Sequence, residues 1–213
     1  MSGEPPQRLE IEVKFYVENL ARLRERLLAA GATQVKPRLF ERNVRLDDDR
    51  GTLARRRQLL RLRQDDKARL TFKGRATGDA ASQAKVREEL EVAVSDAITM
   101  ATILQRLGFQ PRQVYEKYRE TFVLDGVEIV LDELPYGNFV ELEGEAPGKP
   151  DDQEAGIRRL AQRLGFDWEQ RIVDNYLSLM SQLKYHYDLP FNDLTFDNFD
   201  GVEAPIRPIL DQK

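Results

Sequence analysis

The 213-residue chain contains no cysteine and a single histidine, His186. Without cysteine there can be no disulfide, no thiol nucleophile and no zinc site built on thiolates. One histidine also excludes histidine-rich metal sites and a Ser-His-Asp triad elsewhere in the chain. No apolar run approaches the roughly 20 residues of a membrane-spanning helix, and the first residues show no apolar signal-peptide core. We therefore expect a cytoplasmic protein that does not interact with membranes.

Charged residues are abundant and almost balanced, with 33 Lys and Arg against 37 Asp and Glu and a net charge of −4. They are not evenly mixed. Residues 53–75 hold nine basic and two acidic residues, whereas residues 120–154 hold eleven acidic residues and one basic residue. Blocks of opposite sign indicate a site that needs both charges. The acidic pI of about 5.3 argues against a nucleic-acid partner for the basic block.

The hydrophobic pattern predicts an α+β protein. Apolar and charged residues alternate with the period of a strand at about 9–15, 36–47, 59–64, 68–74, 85–94, 113–124, 127–133 and 138–145. Helical spacing occurs at about 18–30, 95–108, 151–165 and 170–184. Asp125-Gly126 predicts a tight hairpin. Because most links between strands are short, we expect a mainly antiparallel sheet of eight strands.

The charged residues of these strands share one face. A one-sided sheet with its polar face in water is the usual explanation for such alternation. Here the polar face is almost entirely ionisable, and its two signs occur in groups. A sheet closed into a barrel, with the charges inside and the helices packed on the apolar outside, would instead surround an aqueous tunnel.

The charged motifs, taken in order, resemble those of the CYTH domain, the triphosphate tunnel metalloenzyme superfamily. They are Glu10-x-Glu12-x-Lys14, Arg61-x-Arg63, Thr71-x-Lys73, Lys85-x-Arg87-x-Glu89-x-Glu91, Lys117-x-Arg119, Asp132 and Glu141-x-Glu143. The resemblance covers about residues 8–180. It implies an eight-stranded antiparallel closed barrel whose tunnel binds a triphosphate with Mg²⁺ or Mn²⁺. Arg45 is a departure, since many cyclase-like members have an aromatic residue there.

The chemistry of the site suggests roles for these residues. Arginine and lysine neutralise phosphate oxygens, and arginine can bind them bidentately. The substrate-binding candidates are Arg61, Arg63, Lys73, Arg87, Lys117 and Arg119. Carboxylates suit Mg²⁺ and Mn²⁺, and the metal-binding candidates are Glu10, Glu12, Glu89, Glu91, Glu141 and Glu143. The catalytic candidates are Glu10, Glu12, Lys14 and Asp132, with Lys14 either binding phosphate or holding the glutamates apart.

These residues predict a metal-dependent phosphohydrolase that acts on inorganic tripolyphosphate, thiamine triphosphate or a nucleoside triphosphate. Hydrolysis ranks first because Glu141-x-Glu143 is complete and no aromatic residue stands out as a platform for adenine. The alternative is a class IV adenylyl cyclase that converts ATP to cyclic AMP and pyrophosphate. A third hypothesis is a non-catalytic module that binds polyphosphate or nucleotide.

The domain organisation follows the same pattern. We expect a triphosphate tunnel domain over residues 1–183 and an aromatic, acidic tail over residues 184–213. The tail has too many aromatic residues for a free linker. It should pack on the barrel, close one mouth of the barrel or dock on a second subunit. The last of these alternatives would make the protein a homodimer, and the sequence leaves all three open. The expected partner is a small-molecule triphosphate.

Overall fold

A computed structural model describes residues 8–9, 11–76, 87–144 and 150–211. The chain divides into two compact units. Unit 1 comprises Met1–Glu10 and Glu41–Tyr115, and unit 2 comprises Ile11–Phe40 and Glu116–Lys213. Glu10 and the start of the strand predicted at 85–94 lie outside the described residues. Among the helices described here, none combines the length and apolar character needed to cross a membrane.

The chain is an α+β protein with an antiparallel sheet. Its strands are β1 (Arg8–Leu9), β2 (Ile11–Val17), β3 (Thr33–Asp47), β4 (Leu59–Gln64), β5 (Ala68–Ala76), β6 (Arg87–Val94), β7 (Gln110–Leu124), β8 (Val127–Leu134) and β9 (Gly137–Gly144). Its helices are α1 (Leu20–Ala29), α2 (Thr52–Arg55), α3 (Ala97–Arg106), α4 (Pro150–Arg163), α5 (Tyr176–Tyr187) and α6 (Arg207–Leu210). Short 3-10 helices lie at Trp168–Gln170 and Asp197–Phe199.

The hydrogen-bonded strand order is β1-β6-β5-β4-β3-β7-β8-β9-β2. The predicted antiparallel sheet of eight strands is confirmed, with the two-residue β1 added at one edge. The hydrogen bonds of the described residues do not close this sheet, so the closed barrel is not confirmed. The two edge strands, β1 and β2, follow one another in the chain and are separated by Glu10 alone.

Unit 1 contains the hairpin-linked strands β4, β5 and β6 and the second half of β3. Its core contains Leu46, Leu60 and Leu62 from two neighbouring strands and Leu104 from α3. These residues lie on the apolar face that the alternating pattern predicted. Helix α3 begins after Asp96, whose side chain accepts a hydrogen bond from the backbone N–H of Thr99 and satisfies one of the free donors at the helix start.

Unit 2 contains β2, β8 and β9 with the first half of β3 and most of β7. The hairpin between β7 and β8 turns at Asp125 and Gly126, which both have positive φ. On the apolar face, Phe122, Ile129 and Leu142 are completely buried, and α4 packs against β9 and β2. The predicted last helix begins later than expected, at Tyr176, because Asn175 caps it and residues 168–170 form a separate 3-10 turn.

The tail packs on unit 2. The backbone N–H of Glu116 donates to the carbonyl of Leu194 at 2.8 Å, and the N–H of Ile206 donates to the carbonyl of Tyr136 at 3.3 Å. Leu194 and Ile206 are completely buried, and Leu189 is nearly so. Tail residues therefore belong to the core of unit 2, although the predicted domain boundary at residue 183 stays a prediction.

Candidate functional site

The strand register of unit 2 places opposite charges in contact across the sheet. Lys14 on β2 lies directly opposite Glu141 on β9, and Arg119 on β7 lies directly opposite Asp132 on β8. Because side chains alternate along a strand, these four residues and Lys117 share one face. Lys14, Lys117, Asp132 and Glu141 are each at most 3% exposed. Within unit 2 the charged face is therefore covered, which contradicts the usual arrangement of a polar face in water.

Lys14 is held between two carboxylates. Its Nζ lies 2.9 Å from Oε1 of Glu12 and 2.8 Å from Oε1 of Glu141. Burial alone would lower the pKa of the ammonium, but attraction to the two carboxylates and hydrogen bonds with them raise it above its ordinary value. Lys14 is therefore charged at neutral pH in spite of being buried.

Glu141 and Asp132 share a guanidinium. Nη2 of Arg119 lies 2.5 Å from Oε2 of Glu141 and 2.6 Å from Oδ2 of Asp132, while Nζ of Lys117 lies 2.9 Å from the same oxygen of Asp132. Burial would raise the pKa of Glu141, but Lys14, Arg119 and Lys117 hold it well below its usual range. The carboxylate is thus ionised and available as a ligand or hydrogen-bond acceptor.

Tyr176, the first residue of α5, covers this cluster. Its hydroxyl donates to Oδ2 of Asp132 at 2.8 Å, and Nζ of Lys14 lies 4.2 Å from the centre of its ring. Burial, followed by the charges of Asp132 and Glu141, raises the pKa of Tyr176 well above its ordinary value, so the phenol keeps the proton it donates. The alternating pattern of the strands could not indicate Tyr176. This residue begins a helix, and it reaches the sheet only through tertiary folding.

Three carboxylates of unit 2 are close enough to share one cation. Glu12, Glu141 and Glu143 each offer an oxygen, and these oxygens all lie within 4.8 Å of one another. Glu12 and Glu143 are also direct partners across β2 and β9, and Glu128 of β8 pairs in register with Glu143. Like charges directly opposite each other are unfavourable without a cation between them. The donor set, made only of carboxylates, fits a hard divalent ion such as Mg²⁺ or Mn²⁺.

Unit 1 carries the predicted arginine and lysine cluster. Nη1 of Arg61 donates to the hydroxyl of Tyr115 at 3.2 Å, and Nζ of Lys73 lies 2.6 Å from Oε2 of Glu89. Nε of Arg63 lies 3.6 Å from Oε2 of Glu41, beyond hydrogen-bonding distance. Burial would lower the pKa of Arg61, but Tyr115, Glu41 and Glu89 raise it. The predicted metal candidates Glu89 and Glu91 instead contact Lys73 and Thr71 here.

Arg45 is a residue of this cluster that the motif comparison did not include in the site. It lies directly opposite Arg61 in the β3–β4 pairing. Among the described residues, Nε of Arg45, Arg61 and Arg63 is buried without a hydrogen-bond partner. Buried donors without partners are costly, and two arginines side by side favour an anion between them. The cluster is therefore suited to phosphate.

The structure thus brings the candidates together as two groups. Unit 2 assembles Glu12, Lys14, Lys117, Arg119, Asp132, Glu141 and Glu143, and unit 1 assembles Arg61, Arg63, Lys73, Glu89 and Glu91. Glu10 and the side chain of Arg87 lie outside the described residues. The roles assigned to all of these residues stay predictions. Glu128, Arg45 and Tyr176 are the additions made by the structure.

The chain thus combines an antiparallel α+β fold with carboxylates and cations gathered on the charged faces of its strands. The family model of the CYTH domain matches residues 8–174. The chain belongs to the CYTH domain family.

Individual relatives agree with this assignment. A protein of Methanocaldococcus jannaschii named "Putative adenylate cyclase" is 27% identical over 137 residues, which cover 63% of this chain and 76% of that protein. The solved structure of a "putative adenylate cyclase" from Vibrio parahaemolyticus has a TM-score of 0.71 at 18% identity, covering 82% of this chain and 99% of that one. A structure from Hippeastrum, described as a "putative adenylyl cyclase" with dominant triphosphatase activity, has a TM-score of 0.61 at 17% identity, covering 81% and 95%.

Proposed function

We propose that this chain is a metal-dependent phosphohydrolase that cleaves a triphosphate. The observation that carries the proposal is the cluster in unit 2, where carboxylate oxygens of Glu12, Glu141 and Glu143 lie within 4.8 Å of one another, beside the buried cations Lys14 and Lys117 and the half-buried Arg119. A protein that only bound polyphosphate would gain little from crowding carboxylates near an anionic ligand. Carboxylates beside cations are what a substrate made of phosphate and divalent metal requires.

The metal would be held by Glu12, Glu141 and Glu143, with Mg²⁺ or Mn²⁺ as the fitting ions. When bound, such an ion polarises phosphoryl oxygens and neutralises developing charge. Lys117 and Arg119 then have a separate task. Their hydrogen bonds to Asp132 fix their direction, so that their positive charges are held in place for phosphate oxygens.

Arg61, Arg63 and Lys73 of unit 1 are proposed to bind phosphate. Their support is that Nε of Arg61 and Nε of Arg63 are buried without a hydrogen-bond partner among the described residues. Membership of the CYTH family supports the proposal that the sheet closes into a barrel. The succession of the edge strands β1 and β2 in the chain is compatible with that closure.

Cyclisation of ATP is the second candidate, because the relative from Methanocaldococcus jannaschii bears the name of an adenylate cyclase. Both reactions use the same cation cluster and carboxylates. Hydrolysis ranks first because a protein of the same fold with a cyclase name is described as mainly a triphosphatase. In the unit 2 cluster the ring of Tyr176 is also covered by Lys14, whose Nζ lies 4.2 Å from the ring centroid, so that this face is not open to adenine.

Product analysis of the full chain tests the proposal. Tripolyphosphate, thiamine triphosphate and ATP are each incubated with Mg²⁺ or Mn²⁺, and orthophosphate is the expected product. Glu12→Gln should lower kcat/KM at least about 100-fold, since it removes a carboxylate ligand and a partner of Lys14. Glu133→Gln is the matched control, because Glu133 lies on the opposite face of β8, paired with Arg38. Cyclic AMP with pyrophosphate would establish the cyclase instead, and binding without turnover would refute both.

A further inference from the structure

In this structure Glu12 and Glu141 bind a cation that is part of the protein, the ammonium group of Lys14. The ammonium of Lys14 lies 2.9 Å from Glu12 and 2.8 Å from Glu141, and these are two of the three carboxylates that could share a metal ion. Lys14 is only 3% exposed, so water screens its charge weakly. A divalent ion bound by the same carboxylates would have to lie close to this ammonium.

Glu141 has a second internal cation. Its other oxygen, Oε2, accepts a hydrogen bond from Nη2 of Arg119 at 2.5 Å. Arg119 is also fixed by Asp132, through hydrogen bonds of 2.8 and 2.6 Å, and its planar group has little freedom to move away. Lys14 differs, because its ammonium ends a flexible four-carbon chain. Of the two cations bound to Glu141, Lys14 is therefore the one that can move away.

The direction in which Lys14 can move is set by its contacts. Its ammonium lies above the ring of Tyr176, 4.2 Å from the centroid, and Nζ of Lys117 lies 5.2 Å from the same centroid. Lys14 and Arg119 also bind the two oxygens of one carboxylate, that of Glu141. A phosphate group bound by Lys117 and Arg119 would therefore lie near Lys14 and could accept a hydrogen bond from it. Such a phosphate would replace the carboxylates as the partner of the ammonium.

We infer that Lys14 competes with the metal for Glu12 and Glu141, and that substrate phosphate relieves this competition by taking the ammonium. This inference rests on the proposed function. It means that metal binds weakly to the protein alone and more tightly once triphosphate is present. Because such coupling is reciprocal, metal also strengthens the binding of triphosphate.

Mn²⁺ binding to the full chain, followed by electron paramagnetic resonance of the free ion, tests the inference without any turnover. Lys14→Met keeps an unbranched side chain, shorter by the ammonium nitrogen, and removes its charge, so it should bind Mn²⁺ at least tenfold more tightly than the wild type. Lys14→Arg keeps the charge and should not bind Mn²⁺ more tightly. Lys36→Met removes a charge from an exposed position and should stay within twofold of the wild type.

The same measurement with imidotriphosphate, a triphosphate that resists hydrolysis, tests the coupling. Its own Mn²⁺ complex is included in the fit. Imidotriphosphate should tighten Mn²⁺ binding by a clearly larger factor in the wild type than in Lys14→Met, because the variant has no ammonium to remove. If Lys14→Met fails to fold, as judged by circular dichroism, Lys14→Gln takes its place.

Two further outcomes separate this inference from the function on which it rests. If Lys14→Met and Lys14→Gln bind Mn²⁺ no more tightly than the wild type, while Glu12→Gln abolishes binding, the competition is refuted and the metal site remains. If neither the wild type nor any variant binds Mn²⁺, with or without imidotriphosphate, both the inference and the proposed function are wrong.

Discussion

At the scale of single residues, the buried charges of unit 2 depend on one another. Asp132 is completely buried, and it accepts hydrogen bonds from Lys117, Arg119 and Tyr176. A buried carboxylate with several charged partners adds little net stability, because its desolvation offsets the attraction. Removing a partner is nevertheless costly, because it leaves a charge without compensation. The cluster is therefore better explained by function than by stability.

Tyr176→Phe tests how tightly this cluster is held together. The variant keeps the ring against Lys14 but removes the hydrogen bond to Asp132. A hydrogen bond to a buried charge contributes about 1.5–3 kcal/mol, so the free energy of unfolding should fall by about that amount in urea titrations. Tyr185→Phe is the control, because Tyr185 is 93% exposed and its change should stay within about 0.5 kcal/mol. Equal stability of the two variants would show that the Tyr176 hydroxyl does not hold Asp132.

The sequence predicted Lys14, Arg119, Asp132 and Glu141 on one face because period two is a local property of a strand. Their pairing, Lys14 with Glu141 and Arg119 with Asp132, depends on register, which the alternation alone leaves open. Tyr176 and Arg45 could not be placed in this way. Tyr176 reaches the cluster from a helix far along the chain, and Arg45 became notable only once β3 was paired with β4.

At the scale of elements, the hairpins determine which charges meet. A slip of one residue between two strands would turn every charged side chain to the other face. The β7–β8 hairpin is held in register by a two-residue turn, in which Asp125 has a φ of 52° and Gly126 a φ of 77°. Positive φ at both positions is typical of a type I′ turn, which matches the twist of the strands.

Gly126→Ala should therefore destabilise the protein. No other atom lies within 4 Å of the added methyl group, so the cost is conformational, about 1–2 kcal/mol for a non-glycine residue in the left-handed region. Gly156→Ala is the matched control, since Gly156 lies inside α4 and an added methyl group there would lie 4.0 Å from Nη2 of Arg159. There alanine should stabilise by about 0.5–1 kcal/mol. Thermal melts that shift in the same direction for both variants would contradict this interpretation of the turn.

Elements with a strong local signal were predicted closely. Strand β4 has the predicted bounds, and the turn at Asp125-Gly126 lies where its sequence places it. Elements whose ends depend on capping were less accurate. Helix α5 begins six residues later than predicted because the side chain of Asn175 accepts from the N–H of Ser178, and the short α2 has too few residues for a helical period to show.

At the scale of the whole molecule, the two charge blocks of the sequence fall into different units. The basic block at residues 53–75 lies in unit 1, and the described part of the acidic block, residues 120–144 and 150–154, lies in unit 2. Each block is partly neutralised within its own unit. Glu89 pairs with Lys73 in unit 1, and Lys14 pairs with Glu141 in unit 2. The net charge of the chain is thus nearly balanced because each of the two clusters contains both positive and negative side chains.

The tail shows how far unit 2 extends beyond the family match, which ends at residue 174. Leu194 and Ile206 are completely buried, and Leu189, Phe199 and Ile209 are 6–8% exposed. Burial of one such side chain contributes about 1.5–3 kcal/mol. The tail therefore supplies apolar burial comparable with the roughly 5–15 kcal/mol that separates a folded domain from its unfolded state.

Deleting residues 188–213 should accordingly prevent unit 2 from folding stably and abolish metal-dependent turnover together with it. Circular dichroism and urea titration measure the first effect, and phosphate release measures the second. Removing only residues 211–213 is the control, because Asp211 is exposed and pairs with the likewise exposed Arg207; stability should then change by less than about 0.5 kcal/mol.

A point variant keeps this test decisive if the shortened chain cannot be isolated. Ile206→Ala empties a completely buried position and should cost about 2–5 kcal/mol, whereas Ile98→Ala, at a position 79% exposed, should change stability by at most about 0.5 kcal/mol. Both parts of Ile206 attach the tail to unit 2. Its side chain is buried, and its backbone N–H donates to the carbonyl of Tyr136. An unchanged urea midpoint for Ile206→Ala would therefore mean that the tail is dispensable for unit 2, and that Tyr176 is held over the charges by α5 alone.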